Sequence, residues 1–167
     1  MPDLALEPLG AAAFAPFGDV LSAEGTPDRM INQGLCARHH DRARIETDAA
    51  GRLGISIFDA TACTLPYAFD LVERHPDGSQ AFLPMHQNPF LVIVAPDEGG
   101  APGTPRAFLC APGQGINLHR GVWHGVLTPL AAPGLFAVID RIGPGANLQE
   151  YRYRAPWRVL QNGPAPA

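Results

Sequence analysis

Apolar and polar residues alternate in short runs along this chain, and glycine or proline closes almost every run. Residues 53–59, 65–74, 80–84, 90–95, 106–110, 122–127, 135–141 and 148–153 each read as a strand. Period-two alternation over a few residues is the signature of a half-buried strand. Turn signals fill the gaps: His75-Pro76-Asp77-Gly78-Ser79, Pro96-Asp97-Glu98-Gly99-Gly100, Pro112-Gly113-Gln114-Gly115, Ala132-Pro133-Gly134 and Gly143-Pro144-Gly145. Proline presets one turn dihedral and glycine tolerates positive φ, so these positions reverse the chain cheaply. Helix signals are weaker. Residues 11–14 predict a helical turn before Pro16, and 38–45 contains helix formers without an apolar stripe; neither is long enough to stand alone.

Short strands at near-regular spacing predict an all-β barrel or sandwich with a few short helices. At 167 residues the chain is expected to be one domain, residues 1–160, followed by a flexible tail at 161–167 rich in proline, glycine and alanine. A domain of this length buries about 68–70% of its unfolded surface, so no disulfide or metal is needed for a core.

Composition changes that picture in three places. Charged residues are 17% of the chain, below the roughly 25% of ordinary soluble domains, which suggests that part of the surface is covered by a second copy. The net charge of -4 and the pI near 5.8 speak against a nucleic-acid partner. The cysteines, Cys36, Cys63 and Cys110, are odd in number and form no Cys-x-x-Cys pair, as expected of reduced thiols in a cytoplasmic protein. No apolar stretch approaches the ~18 residues of a membrane span, and no basic-then-apolar leader begins the chain.

Two segments concentrate groups with chemistry: Glu73-Arg74-His75 with Gln80, and His119-Arg120-Gly121-Val122-Trp123-His124. Residues two apart on a strand share a face, and neighbouring strands of a barrel direct such faces into one interior. The first segment reads E-x-H-x4-Q, close to the H-x-H-x4-E metal signature of cupin barrels with Glu and Gln exchanged. The second is similar to the later cupin signature that ends in a histidine ligand. Glu73, His75, Gln80 and His124 are therefore a candidate metal set, suited to a divalent ion such as Ni2+. A metal-free reading stays open beside it, with His75 or His124 as general base and Glu73 orienting it. Arg120 is either a solvated strand end or an anion-binding group, and Trp123 either core or a surface for substrate. His39 and His86 are expected to be surface or structural.

The order of motifs resembles a known family. Phe17-Gly18-Asp19-Val20, Ile31-Asn32-Gln33-Gly34, Arg38 with His40-Asp41, Glu73-Arg74-His75, Gly78 through Met85, Gly115 through His124, and Asp140-Arg141 follow one another as in the ureidoglycolate lyases of allantoin breakdown. The resemblance spans about residues 14 to 155. It implies a cupin-like double-stranded β-helix, usually homodimeric, that splits ureidoglycolate into glyoxylate and urea, with nickel the metal associated with the family. Carried over residue by residue, it implies site roles for Asn32, Arg38, His40, Glu73, His75, Gln80, His119 and His124. The demands of that reaction point to His75 or His124 as base, Glu73 as orienter or proton donor, Arg38 or Arg120 for the substrate carboxylate, and Gln80 and Asn32 for the ureido group; with the resemblance, His119 is expected in catalysis, and His40 and Trp123 at the substrate. Two other readings compete: a metal-dependent cupin oxygenase or isomerase, and a non-catalytic domain that binds a small carboxylate.

Overall fold

The strand Phe90–Ala95 is apolar at all six positions and buried throughout. Phe90, Val92 and Val94 point to one core, while Leu91, Ile93 and Ala95 point to another on the opposite face. That double burial is what an unbroken apolar run requires, and the remaining strands are arranged around it.

The computed structural model describes residues 1–161, so the expected tail lies outside the described residues except for its first position. One sheet runs Asp3–Leu4, Gln149–Val159, Tyr67–Arg74, Trp123–His124, Phe90–Ala95, Arg106–Cys110, Leu6–Pro8, with Thr128–Pro129 also paired to Phe90–Ala95. A second runs Gly18–Leu21, Gly115–Leu118, Gln80–Pro84, Leu135–Ile142, Arg52–Asp59. Pairing is antiparallel except for the two N-terminal strands Asp3–Leu4 and Leu6–Pro8, which add on in parallel. The sheets close on a shared interior in which Phe82, Ile116, Leu118, Phe136 and Val138 face Phe90, Val92, Val94 and Phe108. Each such side chain contributes roughly 1.5–3 kcal/mol when fully buried. The result is a cupin-like β-barrel, as the resemblance implied.

Phe14, at the end of the Ala11–Phe14 turn, meets Phe108 edge-on at 5.5 Å between ring centroids. Gly18 lets the next strand pass close by: a Cβ there would lie 2.0 Å from the Asn117 carbonyl oxygen. Outside the barrel wall, Leu91, Ile93, Ala95 and Trp123 form a second core with Leu4, Phe69, Val72 and Val159.

Several strands differ from their sequence reading, each for a local reason. The expected 148–153 strand continues to Val159, because Pro156 is accommodated in an irregularity between Arg152 and Trp157 instead of ending the pairing. The expected 122–127 strand shrinks to Trp123–His124, after which Gly125 donates to the Ile93 carbonyl and the chain turns away. Residues 38–45 form no helix. Arg38 closes a hairpin of Arg29–Ile31 with Cys36–Arg38, and Asp41 takes a positive φ of 49°. Gly18–Leu21 and Gly115–Leu118 carry too few alternating residues to stand out in sequence.

One correction bears on function. The turn signal at His75–Ser79 does not fold residues 73–80 into a hairpin. Tyr67–Arg74 belongs to the larger sheet and Gln80–Pro84 to the smaller, so 75–79 carries the chain across the barrel. Glu46 and Thr47 pin this crossing: Ser79 N donates to the Glu46 carbonyl at 3.0 Å, and Thr47 bridges Gly78. Arg141, ion-paired with Asp48 at 2.7 Å, packs over Gly78, where a Cβ would stand 2.9 Å from its own.

Candidate active site

His124 sits directly opposite Glu73 on one neighbouring strand and Val94 on the other. Val94 belongs to the barrel core, so the imidazole that shares its face points inside and is 3% exposed. Its floor is apolar, shared with Phe82, Leu118 and Val92. His75, just past the end of its strand, brings its ring to 5.2 Å from that of His124. One donor atom from each of Glu73, His75 and His124 lies within 4.8 Å of the other two. Two sequence segments 50 residues apart thus bring their ligating atoms into one cluster.

Backbone carbonyls decide which ring nitrogen faces that space. His75 Nδ1 donates to the Asn147 carbonyl at 2.7 Å, and His124 Nδ1 donates to the Gly125 carbonyl at 3.0 Å. A carbonyl only accepts, so both protons sit on Nδ1 and both Nε2 atoms carry lone pairs. Those two Nε2 atoms are buried with no hydrogen-bond partner among the described residues. Burial, reinforced by the nearby His75 and partly offset by the Gly125 bond, lowers the His124 pKa to about 4, so the ring is neutral at pH 7. Burial also raises the pKa of Glu73, against the opposing pull of His75, whose Nε2 lies 3.9 Å from Glu73 Oε1.

The opposite wall comes from the smaller sheet. Gln80 is 6% exposed and shares its face with Phe82. Its Nε2 donates to Asp140 Oδ2 at 3.3 Å, leaving Gln80 Oε1 and Asp140 Oδ1 buried and unpartnered.

Other candidates lie elsewhere. His119 Nε2 is 3.1 Å from Asp19 Oδ2 in a separate cluster with Asn117 and the backbone of Arg44. Burial opposes ionisation of Asp19, but hydrogen bonds from Asn117, Arg44 N and His119 outweigh it and leave its pKa lowered. Arg120 is exposed, donates to the Pro76 carbonyl and lies 3.9 Å from Asp77, while its neighbour Gly121 N donates to the His75 carbonyl. Trp123 faces the outer core, not the interior, and its indole N–H donates to Asp97. Arg74 covers that indole at 4.3 Å and pairs with Asp97. Asn32, Arg38 and His40 are exposed on and beside the Arg29–Arg38 hairpin, where Arg38 meets His40 at 2.9 Å. No hydrogen bond or ion pair among the described residues joins those three to Glu73, His75 or His124. His86 is half-buried against Phe136, and His39 contacts Arg42.

The donor set fits a divalent metal ion. Two imidazole nitrogens with bare lone pairs and one carboxylate converge, and carbonyl bonds hold both rings in the ligating tautomer. Glu73, His75 and His124 are the residues that would hold it, with Gln80 Oε1 the remaining sequence candidate across the interior.

Sequence reading missed Asn147, whose carbonyl orients His75 and whose side chain accepts from Asp77 N at 2.8 Å. Nothing in a loop residue that works through its backbone announces this role. It also gave Asp140 no part, although a polar residue ending the inward row Phe136, Val138, Asp140 was a legible signal.

Comparison with known proteins places these residues among relatives. The family model described as ureidoglycolate lyase matches residues 1–160. The chain is 64% identical to a ureidoglycolate lyase of Rhodobacter capsulatus over 95% of its own length and 99% of the relative's. It is 49% identical to ureidoglycolate lyase 2 of Rhizobium meliloti, over 93% and 96%, and 49% identical to a ureidoglycolate lyase of a Chelativorans species, over 92% and 93%.

Proposed function

This chain belongs to the ureidoglycolate lyase family, and from that premise we propose how its own residues divide the work. The protein is an enzyme that releases urea and glyoxylate from ureidoglycolate. The observation that carries the reading is the meeting of Glu73, His75 and His124 around bare Nε2 atoms inside the barrel.

The reaction needs a base for the hydroxyl proton and an acid for the departing nitrogen. His75 Nε2 accepts the hydroxyl proton. The oxygen's electron pair forms the aldehyde C=O, the C–N bond breaks with its electrons going to nitrogen, and Glu73 delivers a proton there to complete urea. A carboxyl whose pKa burial raises is suited to hold that proton until it is needed. The product state leaves a protonated His75 3.9 Å from an ionised Glu73, so returning the proton resets the pair. His124, with a pKa near 4, is a poor resting place for a proton and serves through its lone pair. When bound on these same atoms of Glu73, His75 and His124, a divalent ion would supply Lewis acidity that lowers the hydroxyl pKa in place of the His75 lone pair. Arg120 is the cation supported for the substrate carboxylate, since its turn is bonded to the His75 backbone, whereas Arg38 is tied to His40 on an outer hairpin.

Three broader assignments accompany this. Residues 1–160 act as one catalytic domain, the span of the family match. The protein works in the cytoplasm on allantoin-derived substrate, a placement its three free cysteines support. No described helix is long and apolar enough to cross a membrane. It acts as a homodimer through the outer face of the smaller sheet, where the edge strand Arg52–Asp59 exposes Leu53, Ile55 and Ile57 (73% exposed at Ile55).

The test is direct. Purified protein is incubated with ureidoglycolate, with and without Ni2+ or Mn2+, and glyoxylate release is followed. Release above the spontaneous rate is expected, and its absence in every condition removes the assignment.

A further inference from the structure

We propose that Asp140 and Gln80 form an acceptor pair that grips the ureido end of the substrate, making Asp140 a specificity-determining residue for the urea leaving group. The inference rests on the lyase reading and deepens it.

Four polar atoms with no partner are buried among these residues: His75 Nε2, His124 Nε2, Gln80 Oε1 and Asp140 Oδ1. The first two belong with Glu73 on the larger sheet. The other two stand together on adjacent strands of the smaller sheet, one step beyond the Ala81–Ile139 pair. Buried polar atoms without partners are uncommon, and two side by side mark a place where a missing partner belongs.

Asp140 settles which way the Gln80 amide faces. A carboxylate oxygen attracts N–H, so Nε2 turns toward Asp140 and Oε1 is left bare. The pair then offers two bare acceptors, Gln80 Oε1 and Asp140 Oδ1, beside the one remaining N–H of the Gln80 amide. Asp140 forms no ion pair among the described residues, so no described cation answers it. A ureido group, –NH–CO–NH2, carries three N–H donors and matches this surface. The glyoxylate end of the substrate, with only acceptor oxygens besides its hydroxyl, would meet repulsion there. Polarity alone therefore orients the substrate: ureido group toward Gln80 and Asp140, hydroxyl-bearing carbon toward Glu73, His75 and His124.

The experiment is product inhibition of the full-length enzyme, comparing wild type with Asp140→Asn. The variant keeps the shape, frees the Gln80 amide to flip and places a donor where an acceptor stood. KM for ureidoglycolate and the inhibition constant for urea are expected to rise together by about tenfold, the cost of one mismatched buried hydrogen bond. The inhibition constant for glyoxylate should stay near its wild-type value. Equal weakening of urea and glyoxylate inhibition, or no change in either, overturns the proposal. Loss of Ni2+ binding by calorimetry in the variant overturns it also, because Asp140 would then be a metal ligand. Asp140→Ser, with saturation-transfer NMR of urea on metal-free protein, provides a readout that needs no turnover: the urea signal should fall relative to wild type, and an unchanged signal counts against the pair. If wild type releases no glyoxylate the lyase reading fails, and that NMR comparison still decides whether the acceptor pair binds urea.

Discussion

Replacing His124 by glutamine should change how the fold responds to acid, by an amount the structure sets. The imidazole is buried with its Nε2 unpartnered, and its pKa falls to about 4 from an ordinary 6.5. A folded-state pKa below the unfolded one means that the unfolded chain binds the proton first. Stability is therefore intact above about pH 6.5 and is lost as pH falls from there toward 4. Integrating between pH 7.5 and pH 5 gives a loss on the order of 2 kcal/mol for this one group. With urea m-values of about 1–3 kcal/mol per molar, the wild-type midpoint should drop by roughly 1 M more than that of His124→Gln over the same pH interval. The assay is urea unfolding of both proteins with chelator present, since a bound ion would hold the ring neutral by itself. Glu73, whose raised pKa acts in the opposite sense, is common to both proteins and largely cancels in the difference. If the two proteins lose the same stability between these pH values, His124 is not held neutral by burial, and the reasoning fails.

Other outcomes follow from the same geometry. His75→Ala should lower ureidoglycolate turnover by at least ~100-fold, the lower bound for losing an acid/base group, measured by glyoxylate release; a near wild-type rate would clear the residue. Adding Ni2+ to chelator-treated protein should raise its melting temperature, and His75→Ala should abolish the shift; an unchanged shift in that variant would remove His75 from the ligand set. Ile55→Asp should yield monomer by light scattering, because it places a charge in the centre of the exposed edge strand; a dimer of unchanged mass would move the interface elsewhere.

Strand content was legible because period-two alternation and glycine–proline punctuation are local properties. The runs 80–84, 90–95 and 106–110 therefore appear in the structure with their sequence bounds, and the short helix at 11–14 does too. Glu73, His75 and His124 were legible as a set because alternation on neighbouring strands predicts a common face. Trp123 belonged to the same motif as His124, yet successive strand residues point to opposite faces, and it lies in the outer core.

By itself, the sequence determined that the chain is made of short strands, that imidazoles and a carboxylate concentrate near 73–80 and 119–124, and which family it resembles. Only the tertiary structure decided that 75–79 crosses between sheets, that two backbone carbonyls set the imidazole tautomers, and that Asp140 turns the Gln80 amide. The His75–Asn147 and Gln80–Asp140 contacts join residues more than 50 positions apart and depend on non-local strand pairing. Local pattern fixes which face a side chain takes, whereas its partners depend on how the sheets close.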